Sequence, residues 1–294
     1  MTTRFAPSLT GHLHLGHVLH LLYVWGFARA RKGRVVCRME DHDLSRNRAE
    51  YEPSILSDLH ELGFVPNEGI SMSYAPHPSP YRQSDCAEDY EAQLHFLAKK
   101  GLVYGCECSR KQIQSRQQTT GGELCYDGTC AEKNLPLKDH TVRFRVPPEA
   151  VDFEDQLCGK LSQLPRTQCG DFSLRDRTGQ WTYQFCCVCD DIRQGIDLVV
   201  RGEDLLASTG RQIQLFHALG HSPPRYAHHP LLCDENREKL SKRQYSASIS
   251  QQRKAGISTE KLIGHATFLA GIQSQDRPLK LDPALALFAA RLMD

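Results

Sequence analysis

Two histidines three residues apart, His14 and His17, enclose Leu15-Gly16 at the point where a turn gives way to a long apolar run. Upstream lie Arg4-Phe5-Ala6-Pro7-Ser8 and the turn residues through Gly11. Strand, turn and helix start in that order make an anion site, because helix-start N–H groups point outward and carry partial positive charge. His14 and His17 share one side of the first helical turn, where two imidazoles can donate to phosphate oxygens. Gly16, lacking a Cβ, admits a flat ring close to the backbone. A single histidine there would be an ordinary helix-start residue. A second cationic motif, Lys239-Leu240-Ser241-Lys242-Arg243, lies far downstream.

The elements that must carry these residues can be read from periodicity. Residues 3–7 form a strand and 16–31 a helix apolar nearly all round, hence buried, ended by Gly33. Residues 34–40 form the next strand, with Val35, Cys37 and Met39 on one side and Arg38 and Glu40 on the other. Strand, helix, strand is the start of a doubly wound parallel sheet, in which ligands sit beyond the carboxyl ends of the strands, here Arg4–Ser8 and Glu40–Asp43. A helix over 49–62 stops at Gly63. Residues 66–80, with four prolines, are loop. Ser84 caps a helix to Lys100 with Ala87, Tyr90, Leu94 and Leu97 inward. Residues 104–170 change character, rich in cysteine, glycine and glutamine. Residues 181–190 and 196–200 read as buried strands, 209–219 as a helix, and 258–270 and 283–293 as terminal helices. The resulting organisation is a first half of the sheet domain at 1–103, an insertion at 104–180, a second half with the lysine-rich loop at 181–243, and a helical region at 244–294.

Within the insertion, Cys106-x-Cys108 and Cys125-Tyr126-x-x-x-Cys130 form a cluster of the type that holds tetrahedral zinc. Cys186-Cys187-x-Cys189, by contrast, falls in an apolar run and reads as small core residues.

At 294 residues the chain can bury a sizeable core, and its 36 basic and 35 acidic residues leave a net charge of +1. That balance excludes a global basic field, so RNA contact must rely on local patches. No apolar run reaches membrane-span length, and the first strand begins too early for a signal peptide, which implies the cytoplasm. The 12 cysteines then read as thiols or metal ligands.

RFAPSLTGHLHLGH, RMEDHDLSR, VVRGEDLL and KLSKR together resemble the catalytic body of bacterial glutamyl-tRNA synthetases, among the class I aminoacyl-tRNA synthetases. The likeness runs from Arg4 to about Arg243. It implies an α/β fold, the Rossmann-like doubly wound parallel sheet of that class, with a zinc-containing insertion and a small C-terminal helical region. It implies an ATP-dependent ligase that makes glutamyl-adenylate. His14, His17, Lys239 and Lys242 would stabilise the reacting phosphates, and Gly16 would lie against adenine. Glutamate, with two carboxylates and one ammonium, would be held by Arg4, Arg201 and Glu40, with Ala6, Ser8 and Tyr183 completing the pocket. Mg²⁺ would accompany ATP.

Family members proper continue into an anticodon-binding region that this chain is too short to hold. A short paralogue within the family shares that truncation and attaches glutamate to queuosine in the anticodon of tRNA(Asp), which makes that RNA the expected partner. Charging of tRNA(Glu) and a non-catalytic RNA-binding role are the rivals. In the short paralogue the metal pattern is CxC…YxxxC, which implies Cys106, Cys108, Tyr126 and Cys130 around one structural zinc, with Cys125 as an alternative to Tyr126. A monomer away from membranes is expected. Leu9, Cys86 and Gly210 depart from the family pattern at support positions, and Cys86 is expected to alter a contact to RNA.

Overall fold

The computed structural model describes residues 1–48, 50–116, 124–232 and 247–292. In chain order the elements are β1 (Thr2–Phe5), α1 (Leu15–Ala30), β2 (Arg34–Cys37), α2 (Tyr51–Leu62), β3 (Glu68–Gly69), α3 (Ala87–Lys99), β4 (Val103–Cys106), α4 (Arg110–Arg116), β5 (Thr141–Phe144), β6 (Val151–Asp155), β7 (Gly159–Gln163), α5 (Pro165–Gln168), β8 (Ser173–Arg175), α6 (Tyr183–Arg193), β9 (Leu198–Gly202), α7 (Thr209–Ala218), β10 (Arg225–His229), α8 (Ile249–Lys254), α9 (Thr259–Leu269) and α10 (Leu281–Arg291). They fall into two compact units, one of residues 1–85, 196–205 and 225–294, the other of residues 86–195 and 206–224.

In the first unit, β1, β2 and β3 pair in parallel, with Arg4 opposite Val36 and Phe5 opposite Cys37. The pairing continues as a bridge between Ser8 and Glu40, so the residues just past both strands lie side by side. β9 and β10 are also parallel, with Arg201 opposite His228. Asp197 N–H donates to Thr2 O and the Arg4 side chain reaches Val200 O, which sets β9 alongside β1. The parallel α/β arrangement expected from the alternation of strand and helix is therefore present. Helix α1 is buried on nearly every side, through Leu15, Val18, Leu19, Leu21, Leu22, Tyr23, Val24 and Phe27. Each such side chain contributes roughly 1.5–3 kcal/mol on leaving water. Its near-continuous hydrophobicity follows from sitting between the strands and the terminal helices. Tyr23 meets Phe288 of α10 edge-on at 5.0 Å. A Cβ on Gly26 would stand 2.8 Å from Phe288 Cβ, so Gly26 sets how closely α10 approaches.

Two local readings are corrected here. The proline-rich 66–80 segment contains β3, which adds to the edge of β2. Ser84 does not cap α3. The cap position is Cys86, Ala87 faces solvent, and the Ser84 N–H and hydroxyl both donate to the Asp41 carboxylate, at 2.9 and 2.6 Å. Asp41 offers an acceptor fixed by β2, and that outcompetes a local cap.

The second unit pairs β4, β5 and β8 antiparallel and folds β6 and β7 into a hairpin. Residues 181–190 are not a strand: α6 begins at Tyr183 after the extended Thr182. Phe185, Cys186, Val188, Cys189 and Ile192 recur at helical spacing and pack against Leu94, Leu97, Val142, Phe144 and Phe216. The period was hidden because Cys187, on the other side, is also buried, its thiol donating to the Asp191 carboxylate. Continuous burial erases the contrast that distinguishes periods of 2.0 and 3.6. Cys86 is buried too, and its sulfur accepts from the Arg193 guanidinium at 3.1 Å. Cys86 is thus a core position of the second unit. Gly210 N–H donates to Gln163 Oε1 at 2.8 Å, a bond that proline at this position would remove.

Candidate active site

The helix start predicted to bind phosphate is built from its two histidines. His14 occupies the N-cap of α1 with extended backbone, φ −134° and ψ 179°. Its Nδ1 accepts from Gly16 N–H at 3.1 Å, and His17 Nδ1 accepts from His14 N–H at 3.1 Å. This is a capping box in which imidazoles do the work of serine and glutamate. Because each Nδ1 is an acceptor, the ring proton of both neutral histidines is placed on Nε2. The rings lie 4.0 Å apart. Burial, with His14 adding to it, pushes the His17 pKa down to about 3.

A Cβ on Gly16 would stand 2.9 Å from His14 Cε1 and 3.1 Å from Nδ1. In this structure it is the His14 ring that occupies that approach. Gly16→Ala is expected to push the ring aside and break the cap. Stability should fall by about 1 kcal/mol, and KM for ATP should rise roughly tenfold with little change in KM for glutamate, since about 1.4 kcal/mol is tenfold. Urea denaturation and steady-state kinetics check the two parts.

The residues expected to hold glutamate also gather in the first unit. Arg4, Glu40 and Arg201 are 4%, 9% and 3% exposed. Arg4 Nη1 donates to Val200 O at 3.1 Å, one residue before Arg201. Arg201 Nε donates to His228 Nε2 at 2.9 Å, with its guanidinium 5.3 Å from the Tyr226 ring centroid. Glu40 Oε1 lies 3.5 Å from Arg38 Nη2, as expected of alternate residues on one side of a strand. Ala6 is half-buried, and Ser8 is exposed with its hydroxyl 3.0 Å from that of Thr10. Tyr183 opens α6 in the second unit, half-buried. Lys239 and Lys242 lie outside the described residues.

Sequence reasoning missed the histidines of β10. His229 Nε2 lies 3.0 Å from His20 Nδ1, its Nδ1 donates to Pro230 O, and its ring stacks on Tyr23 at 4.8 Å. Burial pulls the pKa of His20 well below its usual value and that of His229 down to about 4. These groups, with His17, exclude a proton that the unfolded chain accepts near pH 6.5. Their contribution is present above that pH and is lost as pH falls toward 4, at about 1.4 kcal/mol per pH unit for each. Urea midpoints should therefore drop steeply below pH 6.5, and His20→Asn should flatten the slope by about one proton.

In the second unit, the thiols of Cys106, Cys108 and Cys130 lie within 4.8 Å of one another. The Tyr126 hydroxyl is 3.3 Å from Cys106 Sγ and 3.6 Å from Cys108 Sγ, and accepts from Cys130 N–H at 3.0 Å. The Cys125 thiol instead points to Arg166 O, at 3.8 Å. Tyr126 is held by a bridge to Gly170, where a Cβ would come 2.0 Å from Tyr126 O at φ +62°. Its ring also lies 3.7 Å below the Arg143 guanidinium. Burial raises the Cys108 thiol, but hydrogen bonds from Arg116, Tyr126 and the neighbouring thiols outweigh it and leave the pKa below its ordinary value. Three buried thiols and a phenol oxygen suit a tetrahedral soft-metal site.

Among the described residues no helix is long and apolar enough to cross a membrane.

The model for the catalytic domain of class I tRNA synthetases (E and Q) matches residues 1–277. The chain is 39% identical over 282 residues to a glutamyl-Q tRNA(Asp) synthetase of Nitratidesulfovibrio vulgaris, covering 92% of this chain and 86% of that protein. It is 36% identical over 264 residues to a glutamate–tRNA ligase of Thermodesulfovibrio yellowstonii, covering 88% of this chain and 55% of the relative. The crystal structure of a glutamate–tRNA synthetase from Elizabethkingia anophelis superposes with a TM-score of 0.81 at 25% identity, over 98% of this chain and 66% of that one.

Proposed function

The chain belongs to the catalytic-domain family of the class I tRNA synthetases for glutamate and glutamine, and we propose that it activates glutamate with ATP and transfers it to queuosine in the anticodon of tRNA(Asp). The observation that carries this reading is the grouping in one compact unit of phosphate donors, His14 and His17, with a charge set matched to glutamate, Arg4, Glu40 and Arg201. The acceptor is taken from relatives named glutamyl-Q tRNA(Asp) synthetase, at 39% and 35% identity.

In the first step a carboxylate oxygen of the glutamate α-carboxylate attacks the α-phosphorus of ATP, a P–O bond forms, and pyrophosphate leaves with the electron pair of the bond that breaks. Charge spreads onto phosphoryl oxygens, so catalysis is positioning and charge neutralisation. The Nε2–H groups of His14 and His17 face that charge, with Lys239 and Lys242 as further cations and Mg²⁺ accompanying the nucleotide. Arg4 and Arg201 take the substrate carboxylates, Glu40 takes the ammonium, and Ala6 and Ser8 line the pocket. In the second step a hydroxyl of the acceptor base attacks the adenylate carbonyl and AMP leaves. Cys106, Cys108, Tyr126 and Cys130 would hold one Zn²⁺, which would supply a structural cross-link within the second unit.

Glutamate-dependent exchange of pyrophosphate into ATP tests the activation half. Exchange that responds to glutamate and not to glutamine or aspartate is expected. Exchange indifferent to glutamate would sink this reading and favour a non-catalytic RNA-binding role.

A further inference from the structure

The register of β9 and β10 places Arg201 directly opposite His228, so both side chains leave the same face of the paired strands. His228 is 1% exposed. Its Nε2 accepts the Arg201 Nε–H at 2.9 Å, which puts the imidazole proton on Nδ1. Tyr226, two residues earlier on β10 and therefore on that same face, lies nearly parallel to the His228 ring at 6.0 Å and offers its own ring to the guanidinium at 5.3 Å.

We propose that His228 is the positioning residue of Arg201: by engaging Nε it presents the guanidinium end-on, so that a substrate carboxylate is taken by Nη1 and Nη2 together. The inference rests on the assignment of Arg201 to the glutamate pocket. A guanidinium can grip a carboxylate along its Nε–Nη2 edge or along its Nη1–Nη2 edge. The bond to His228 removes the first option and fixes the plane of the second. A buried arginine without that acceptor would carry an unsatisfied Nε–H and rotate about its last torsions, losing preorganisation. Lysine at 201 cannot reproduce this arrangement, because its ammonium offers no planar pair of parallel donors for a carboxylate.

His228→Leu and His228→Gln separate this role from mere packing. Leucine keeps bulk and removes the acceptor, while the Gln Oε1 can sit near the position of Nε2. In pyrophosphate exchange, the leucine variant should raise KM for glutamate about 10- to 100-fold, the range of a hydrogen bond to a charged group. Its kcat should stay within about twofold and KM for ATP should not change. Glutamine should recover KM to within about threefold. In ¹⁵N-arginine spectra, the Arg201 Nε–H should be protected from solvent exchange in the parent and the glutamine variant, and lost to fast exchange in the leucine variant. Equal rises in glutamate KM for both variants, a matching rise in KM for ATP, or an Nε–H still protected with leucine at 228 would overturn the proposal. Exchange in the parent chain that ignores glutamate would count against the function, while the Nε–H measurement still decides the bond.

Discussion

Replacing Arg4 by leucine is expected to raise KM for glutamate by about 10²–10³-fold, corresponding to roughly 3–4 kcal/mol, within the range for leaving one member of a buried ion pair alone. Arg4 is 4% exposed, and a carboxylate bound beside it gives up most of its water. With leucine there the carboxylate loses hydration and gains no cation. In the folded chain the Arg4 guanidinium donates to the Val200 carbonyl at 3.1 Å, and leaving that buried acceptor unpaired is expected to cost about 1–3 kcal/mol of stability. Arg4→Lys should fall between, with about a tenfold rise in KM, because a point charge replaces a planar fork. KM for ATP should not move. A leucine variant whose glutamate KM stays within threefold of the parent would remove Arg4 from the pocket.

The second large effect is expected at the thiol cluster. Cys130→Ala should abolish stoichiometric zinc, read as one metal per chain by elemental analysis in the parent and none in the variant. Structural zinc contributes of order 10 kcal/mol to small metal-dependent modules. The segment carrying Cys106, Cys108 and Tyr126 should then lose protection in hydrogen exchange, and the two remaining thiols should titrate with a disulfide reagent without denaturant. Chelation of the parent should reproduce both changes. Cys125→Ala should leave the metal in place, because the Cys125 thiol is directed at Arg166 O and away from the cluster. Loss of zinc on Cys125→Ala with retention on Tyr126→Phe would reverse that assignment of the fourth ligand.

Much of this site is legible in the sequence because its parts are short and strictly spaced. His14 and His17 fall on one helical turn whatever the rest of the chain does. Arg38 and Glu40, just past the end of β2, fall on one side of the extended chain by alternation. Cys106, Cys108 and Cys130 were recognisable from spacing, and the structure brings their thiols together. What could not be read was decided by contacts distant in sequence. Nothing near residues 181–190 reveals a helix, since its neighbours bury it on both sides. Ser84 is an ordinary cap candidate until Asp41, 43 residues away, claims it. His228 has no local motif, and its meaning appears only when β10 registers against β9. A signal was present in the alternating Tyr226-Ala227-His228 just ahead of the lysine-rich motif, which marks a strand entering the site.

Transfer of labelled glutamate to purified tRNA(Asp), with and without queuosine and alongside tRNA(Glu), tests the central claim most directly. The account predicts label only on tRNA(Asp) that carries queuosine. Label on tRNA(Glu), or equal label on tRNA(Asp) lacking the modified base, would contradict it.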